Sequence, residues 1–139
     1  MNNNPKNDIA EEYQLFPLSD VDNRSKRRNM LIRHDYYSAD SAHGRSLLES
    51  VLEAIEDSDI EIETVYLIDS GVKLCSEDSS LYNSFLGFVT RYGANIFCCS
   101  SSIETYSIRL SEQLSNIICV PSYDFFTEII QEKDLIIID

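Results

Sequence analysis

Residues 93–106 read Gly-Ala-Asn-Ile-Phe-Cys-Cys-Ser-Ser-Ser-Ile-Glu-Thr-Tyr, and the fold is decided there. Asn95-Ile96-Phe97-Cys98-Cys99 is of strand length and apolar without a break from Ile96 on. An unbroken run, as opposed to an alternating one, is what a strand covered on both faces requires. Gly93 in front of it is a helix C-cap residue, able to take positive φ without strain. The serines behind it open a new helical or loop segment. Helix, buried strand and helix start therefore follow one another within a few residues.

The same alternation extends in both directions. Upstream, a helix starts at Ser79, with Leu81, Phe85, Phe88 and Val89 on one face. Before it lies a β-branched strand, Thr64-Val65-Tyr66-Leu67-Ile68. Ser41 caps a helix running to about Asp57, with Leu47, Leu48, Val51, Leu52 and Ile55 at helical spacing. Met30-Leu31-Ile32 forms the first strand. Downstream come a polar helix or loop-helix over about 102–114 and the strand Asn116-Ile117-Ile118-Cys119-Val120. Ser122 caps a helix over 123–132, and Leu135-Ile136-Ile137-Ile138 is the fifth strand. Short buried strands alternating with helices predict an α/β fold, a three-layer α/β/α sandwich on a five-stranded, mainly parallel sheet. The pattern does not specify the strand order, and no internal repeat is visible.

Length and composition fit one domain: 139 residues, 43% hydrophobic and 25% charged. Lys and Arg number 11 against 24 Asp and Glu, a net charge of −13. Such acidity disfavours nucleic acid, whose phosphates would be repelled. Residues 1–28 hold five basic and five acidic side chains, so 29–139 carry the whole imbalance. Segment 1–28 has no sustained period and is expected to be a tail or arm, with 29–139 as the α/β domain. Its Leu15-Phe16-Pro17-Leu18 patch suits a groove, while Arg24-Ser25-Lys26-Arg27-Arg28 reads as a solvated junction. No apolar leader and no apolar run of membrane-spanning length occur, so a cytoplasmic chain with no membrane partner is expected. Four cysteines without regular spacing suggest reduced thiols, not a disulfide framework.

In open parallel sheets, ligands bind beyond the carboxyl ends of the strands. The residues to read are therefore His34-Asp35-Tyr36-Tyr37, Asp69-Ser70-Gly71-Val72-Lys73, Cys98-Cys99-Ser100-Ser101-Ser102 and Pro121-Ser122-Tyr123. Cys99 ends a buried strand just before a helix start, where unpaired N–H groups favour thiolate over thiol. Ser100, Ser101 and Ser102 add hydroxyl donors for an anion or a persulfide. Cys98 is expected in the core, as is Cys119, and a vicinal Cys98–Cys99 disulfide would be strained. Cys75 suits packing or a second redox thiol, and Lys73 suits a thiolate's counter-charge or plain solvation. The acidic run 56–63 reads as a solvated helix end and turn. With only His34 and His43 as imidazoles and no C-x-x-C, no metal site is expected. No cofactor is expected either. Neither a phosphate-binding glycine loop nor a G-x-S-x-G elbow is present.

Three segments resemble, in order, the DsrE/DsrF-like sulfur-relay domains, and most nearly the C-terminal domain of YedF-like proteins named for selenium metabolism. Asp69-Ser70-Gly71-Val72-Lys73-Leu74, followed by Glu77-Asp78-Ser79, is similar to that group's N-S-G-V-K-L…E-G-S. Residues 93–106 are similar to its G-V-E-I-L-x-C-G-T-C-L-D-Y-Y, and Ser122-Tyr123-Asp124 to its N-M-Y-x-I. The resemblance covers roughly residues 29–139. It implies a homo-oligomer and a persulfide-carrying Cys after the third strand, here Cys99. It also implies a pocket shaped by Cys98 and Tyr106, with Lys73 supplying charge, and a sulfur-relay protein as partner. The chain departs from the pattern at Ser100, which replaces a Gly, and at Ser102, which replaces the second Cys. A dithiol mechanism across that loop is therefore unavailable, which leaves a single-thiol sulfur carrier, a sulfurtransferase-like protein, or a non-catalytic module. A small-anion or nucleotide site at Ser100–Ser102 is a third reading.

Overall fold

The computed structural model describes residues 26–139. The expectations for the Leu15–Leu18 patch and for the rest of 1–25 lie outside the described residues. Five strands make one sheet: β1 (Arg27–Ile32), β2 (Glu61–Leu67), β3 (Asn95–Cys99), β4 (Ile117–Val120) and β5 (Ile136–Ile138). All neighbours pair parallel, in the order β4-β3-β2-β1-β5. The chain builds outward from β1 to β4, then returns to the far side of β1.

Alternation along each strand sends side chains to two faces. On the first face, Met30, Ile32, Val65, Leu67, Ile96 and Cys98 pack under helices α1 (Ala42–Glu56) and α2 (Tyr82–Tyr92). On the second, Leu31, Tyr66, Phe97 and Cys99 pack around Phe125 of α4 (Ser122–Gln131). The short α3 (Ser100–Thr105) follows β3 on the first-face side, where Ile103 joins that core. These are the three layers of the expected sandwich.

Local chemistry accounts for the helix ends. Ser41 Oγ accepts the Gly44 N–H at 2.9 Å, capping α1 as its position predicts. α2 ends in a Schellman arrangement. Gly93 takes φ 60°, its N–H reaches Thr90 O, and the Ala94 N–H reaches Val89 O at 3.0 Å.

Several boundaries differ from the sequence reading. β2 starts at Glu61, so part of the acidic run is strand: Ile62 turns inward and Glu61 turns to solvent, and the pairing with β1 shifts by one residue at Glu63, between Arg28–Ile62 and Asn29–Thr64. The expected helix over 102–114 shrinks to α3, because Ser107 takes φ 51° and breaks it. α4 begins at Ser122 itself, after Pro121, with no side-chain cap. Residues Asp69–Cys75 form a 3₁₀ segment that the apolar pattern did not mark. Gly71 is required there, since a Cβ would lie 2.4 Å from Ile32 O of β1.

Candidate functional site at the end of β3

The crevice of an open parallel sheet opens where adjacent strands send their connections to opposite faces. Here that condition is met between β3, which leads into α3 on the first-face side, and β4, which leads into α4 on the second. Cys99 is the last residue of β3, in register with Val120 at the end of β4. The sheet topology therefore puts the sequence-predicted cysteine at the carboxyl end of the strand pair whose connections diverge.

The Cys99 thiol lies 3.2 Å from the Ser101 hydroxyl. Burial alone would push its pKa up, because charge is costly away from water. The hydroxyls and backbone N–H groups of Ser101 and Ser102 outweigh burial and hold the thiol below its ordinary value. Ser102 is fixed in turn, since its Oγ accepts the Asp69 N–H at 2.8 Å. Ser100 opens α3 without bonding the thiol. The residue is also covered: Cys99 is 1% exposed, closed in by Phe125 and Val120.

The remaining cysteines behave differently. Cys98 faces the opposite side of the sheet, in the core as expected, 3.9 Å from the Cys75 sulfur. The hydrogen bond to Cys75, reinforced by burial, pushes the Cys98 thiol far up, so it stays protonated. Cys75 is buried in the same core. Because Cys98 and Cys99 point to opposite faces, both remain free thiols. Cys119 corrects the sequence reading: it is exposed, not core. β4 is an edge strand, and the shortened α3 leaves that part of the first face without a covering helix among the described residues.

Lys73 and Tyr106 come together away from the thiol. The Lys73 ammonium sits 4.8 Å above the Tyr106 ring. The Tyr106 hydroxyl donates to Asp69 Oδ1 at 2.6 Å. That bond to a carboxylate, helped by burial, pushes the Tyr106 phenol up to about 12. Asp69 itself takes φ 55°, a left-handed conformation unfavourable for any residue with a Cβ. It is held there from both sides, by Ser102 on its N–H and Tyr106 on its carboxylate.

Other post-strand residues take part without having been assigned roles from sequence. His34 Nδ1 contacts Ser70 Oγ at 3.2 Å, and its ring stacks on Tyr36 with centroids 4.7 Å apart. Asp35 is buried and faces Arg45 across 3.6 Å. Their position after β1 was the available signal, but nothing in the sequence showed which partners they would meet. Among the described residues no group of three or more potential metal ligands converges. None of the described helices is long and apolar enough to cross a membrane.

No protein-family model and no curated protein matches the chain. Solved structures do match. A protein of unknown function from Methanobacterium thermoautotrophicum, MTH1491, superposes with a TM-score of 0.54 at 16% identity, covering 80% of this chain and 97% of that one. The ychN protein from E. coli superposes with a TM-score of 0.50 at 10% identity, covering 80% and 98%. At these identities the likeness is one of fold alone.

Proposed function

We propose that this protein handles sulfur as a persulfide on Cys99. The observation that carries the reading is the Cys99 thiol at the carboxyl end of β3, 3.2 Å from the Ser101 hydroxyl and kept below its ordinary pKa by Ser101 and Ser102 in spite of burial. The segment resemblance to sulfur-relay domains agrees with it. In the step envisaged, the Cys99 thiolate attacks the terminal sulfur of a donor persulfide, R–S–SH. A new S–S bond forms on Cys99, the donor's S–S bond breaks, and the electron pair leaves on the R–S⁻ thiolate. The Ser101 and Ser102 donors then stabilise the persulfide anion. Cys98 backs the strand from the far face, and Tyr106 acts as a positioning residue through Asp69 and Ser102. Because Phe125 covers the thiol, transfer requires α4 to shift.

The test is incubation with a low-molecular-weight persulfide followed by intact-protein mass spectrometry. A gain of one sulfur atom in the native chain, absent from Cys99→Ser, is expected. No gain, or an equal gain in Cys99→Ser, rejects the reading.

The 1% exposure of Cys99 favours a second reading, a non-catalytic interaction module. Tyr123, Phe126 and Ile130 leave an exposed apolar stripe on the outer side of α4. The homo-oligomer implied by the resemblance would place a second copy on it. Sedimentation of native chain and Ile130→Glu distinguishes an assembly through this stripe from a monomer.

A further inference from the structure

We infer that the groove between α4 and β5, on the second face of the sheet, seats this chain's own Leu15-Phe16-Pro17-Leu18 segment. The groove measures about 390 Å³ and is lined mainly by Leu31, Ile68, Phe125, Phe126 and Ile137. Ile137 is 57% exposed and Phe126 49%. The register explains Ile137: it stands beside Leu31 and shares its face, while Ile136 and Ile138 turn to the first core. Among the described residues the first face carries α1, α2 and α3, whereas the second carries α4 alone. The β5 flank of α4 is therefore apolar and covered by no described element. The inference concerns packing on that flank and does not rest on the persulfide reading.

The occupant follows from what precedes β1 in the chain. Leu15–Leu18 is the longest apolar run within residues 1–25, and polar residues flank it on both sides. The residue before a proline favours extended backbone, so Phe16 ahead of Pro17 suits a groove between a helix and a sheet. The linking length is sufficient. Seven residues, 19–25, join Leu18 to Lys26, and fully extended they span about 26 Å. Leu31, on the groove wall, lies five residues past Lys26, about 16 Å along β1. The segment can therefore turn back along β1 and reach the groove with length to spare.

Charge and tethering favour this occupant over a second copy of the chain. Residues 29–139 carry the whole net charge of −13, while 1–28, with five basic and five acidic side chains, carry none. A second copy would bring its own −13 against the first, and the two would repel; the neutral arm brings no such cost. A segment joined by so short a link is also present at an effective concentration on the order of millimolar. That is well above the concentration of separate copies in dilute solution.

The test replaces Phe16 of the full chain by the photo-cross-linker benzoylphenylalanine and maps the products by peptide mass spectrometry. Cross-links within one chain to the peptides holding Phe126 or Ile137 are expected, in a yield that stays constant over about tenfold dilution. Cross-links between chains, a yield that falls on dilution, or no cross-link to those peptides each overturns the inference, the first two by assigning the groove to a second copy. Ile137→Glu, at an exposed position, should cut the yield by about tenfold, because the arm would bury a charge; an unchanged yield overturns the inference. Methyl NMR reads the same contact without the cross-linker. Phe16→Asp should shift the Ile137 and Ile68 methyls and leave Ile118 unmoved, since Ile118 is 52% exposed on β4, at the opposite end of the sheet. Unmoved Ile137 methyls, or an equal shift at Ile118, also overturn it. None of these readouts involves Cys99, so failure here is distinguishable from failure of the persulfide reading.

Discussion

The Ser101 hydroxyl stands 3.2 Å from the Cys99 sulfur, close enough to donate to a thiolate. Replacing both Ser101 and Ser102 by Ala removes two hydroxyl donors and leaves burial, which acts in the opposite direction. The pH midpoint of Cys99 alkylation should therefore rise in the double variant. An unchanged midpoint would show that backbone N–H groups alone hold the thiol down.

The same depressed pKa has a sign in stability. A group whose folded pKa lies below its unfolded one stabilises the fold when ionised. The contribution is complete above the ordinary thiol value of 9.0 and is lost as pH falls through the folded value. The stability of the native chain relative to Cys99→Ser should thus increase as pH rises toward that value. Denaturant titrations of both chains at a series of pH values measure it, and a flat difference would contradict the assignment.

Glu132, just after α4, ties that helix to two strands. Its carboxylate accepts from the Tyr66 hydroxyl at 2.9 Å and from the Asn29 amide. Burial and this bond push the Tyr66 phenol up, so it stays a donor. Tyr66→Phe should cost about 1 kcal/mol. It should also accelerate Cys99 alkylation, because the helix covering the thiol opens more often. Loss of stability without faster alkylation would mean that α4 is not the cover that moves.

Asp69→Asn keeps a residue tolerant of positive φ but removes the charge beside Tyr106. The Tyr106 phenol should then titrate lower, from about 12 toward its ordinary value of 10.0. Site-resolved NMR of the tyrosine ring reads this directly. A phenol that stays high would assign the shift to burial instead.

Phe125 is fully buried and meets Tyr66 edge-on at 6.0 Å between centroids. Phe125→Ala should destabilise the chain by about 3–5 kcal/mol, as measured by chemical denaturation. A smaller cost would show that α4 collapses into the space.

The strands were legible because buried parallel strands write themselves as apolar runs, as Thr64–Leu67 and Asn95–Cys99 do. Ser41 and Gly93 were legible because cap chemistry is local. The fate of Cys119 was not, since an edge strand and a central one read alike until the strand order is known. The 3₁₀ segment at Asp69–Cys75 was hidden for a related reason: its shape follows from how closely Gly71 approaches β1. Cys99 was picked out by position, whereas Asp35 and Arg45 meet only through the fold of the 34–45 segment.

β5 completes the sheet by pairing with β1, although every other described element lies between them in the chain. During synthesis the outer edge of β1 therefore emerges first and stays open longest. An open edge is a template for another chain's strand. Newly made protein is most exposed to misassembly before Ile136–Ile138 arrives, and nascent chains stalled short of that strand should be the ones that chaperones capture.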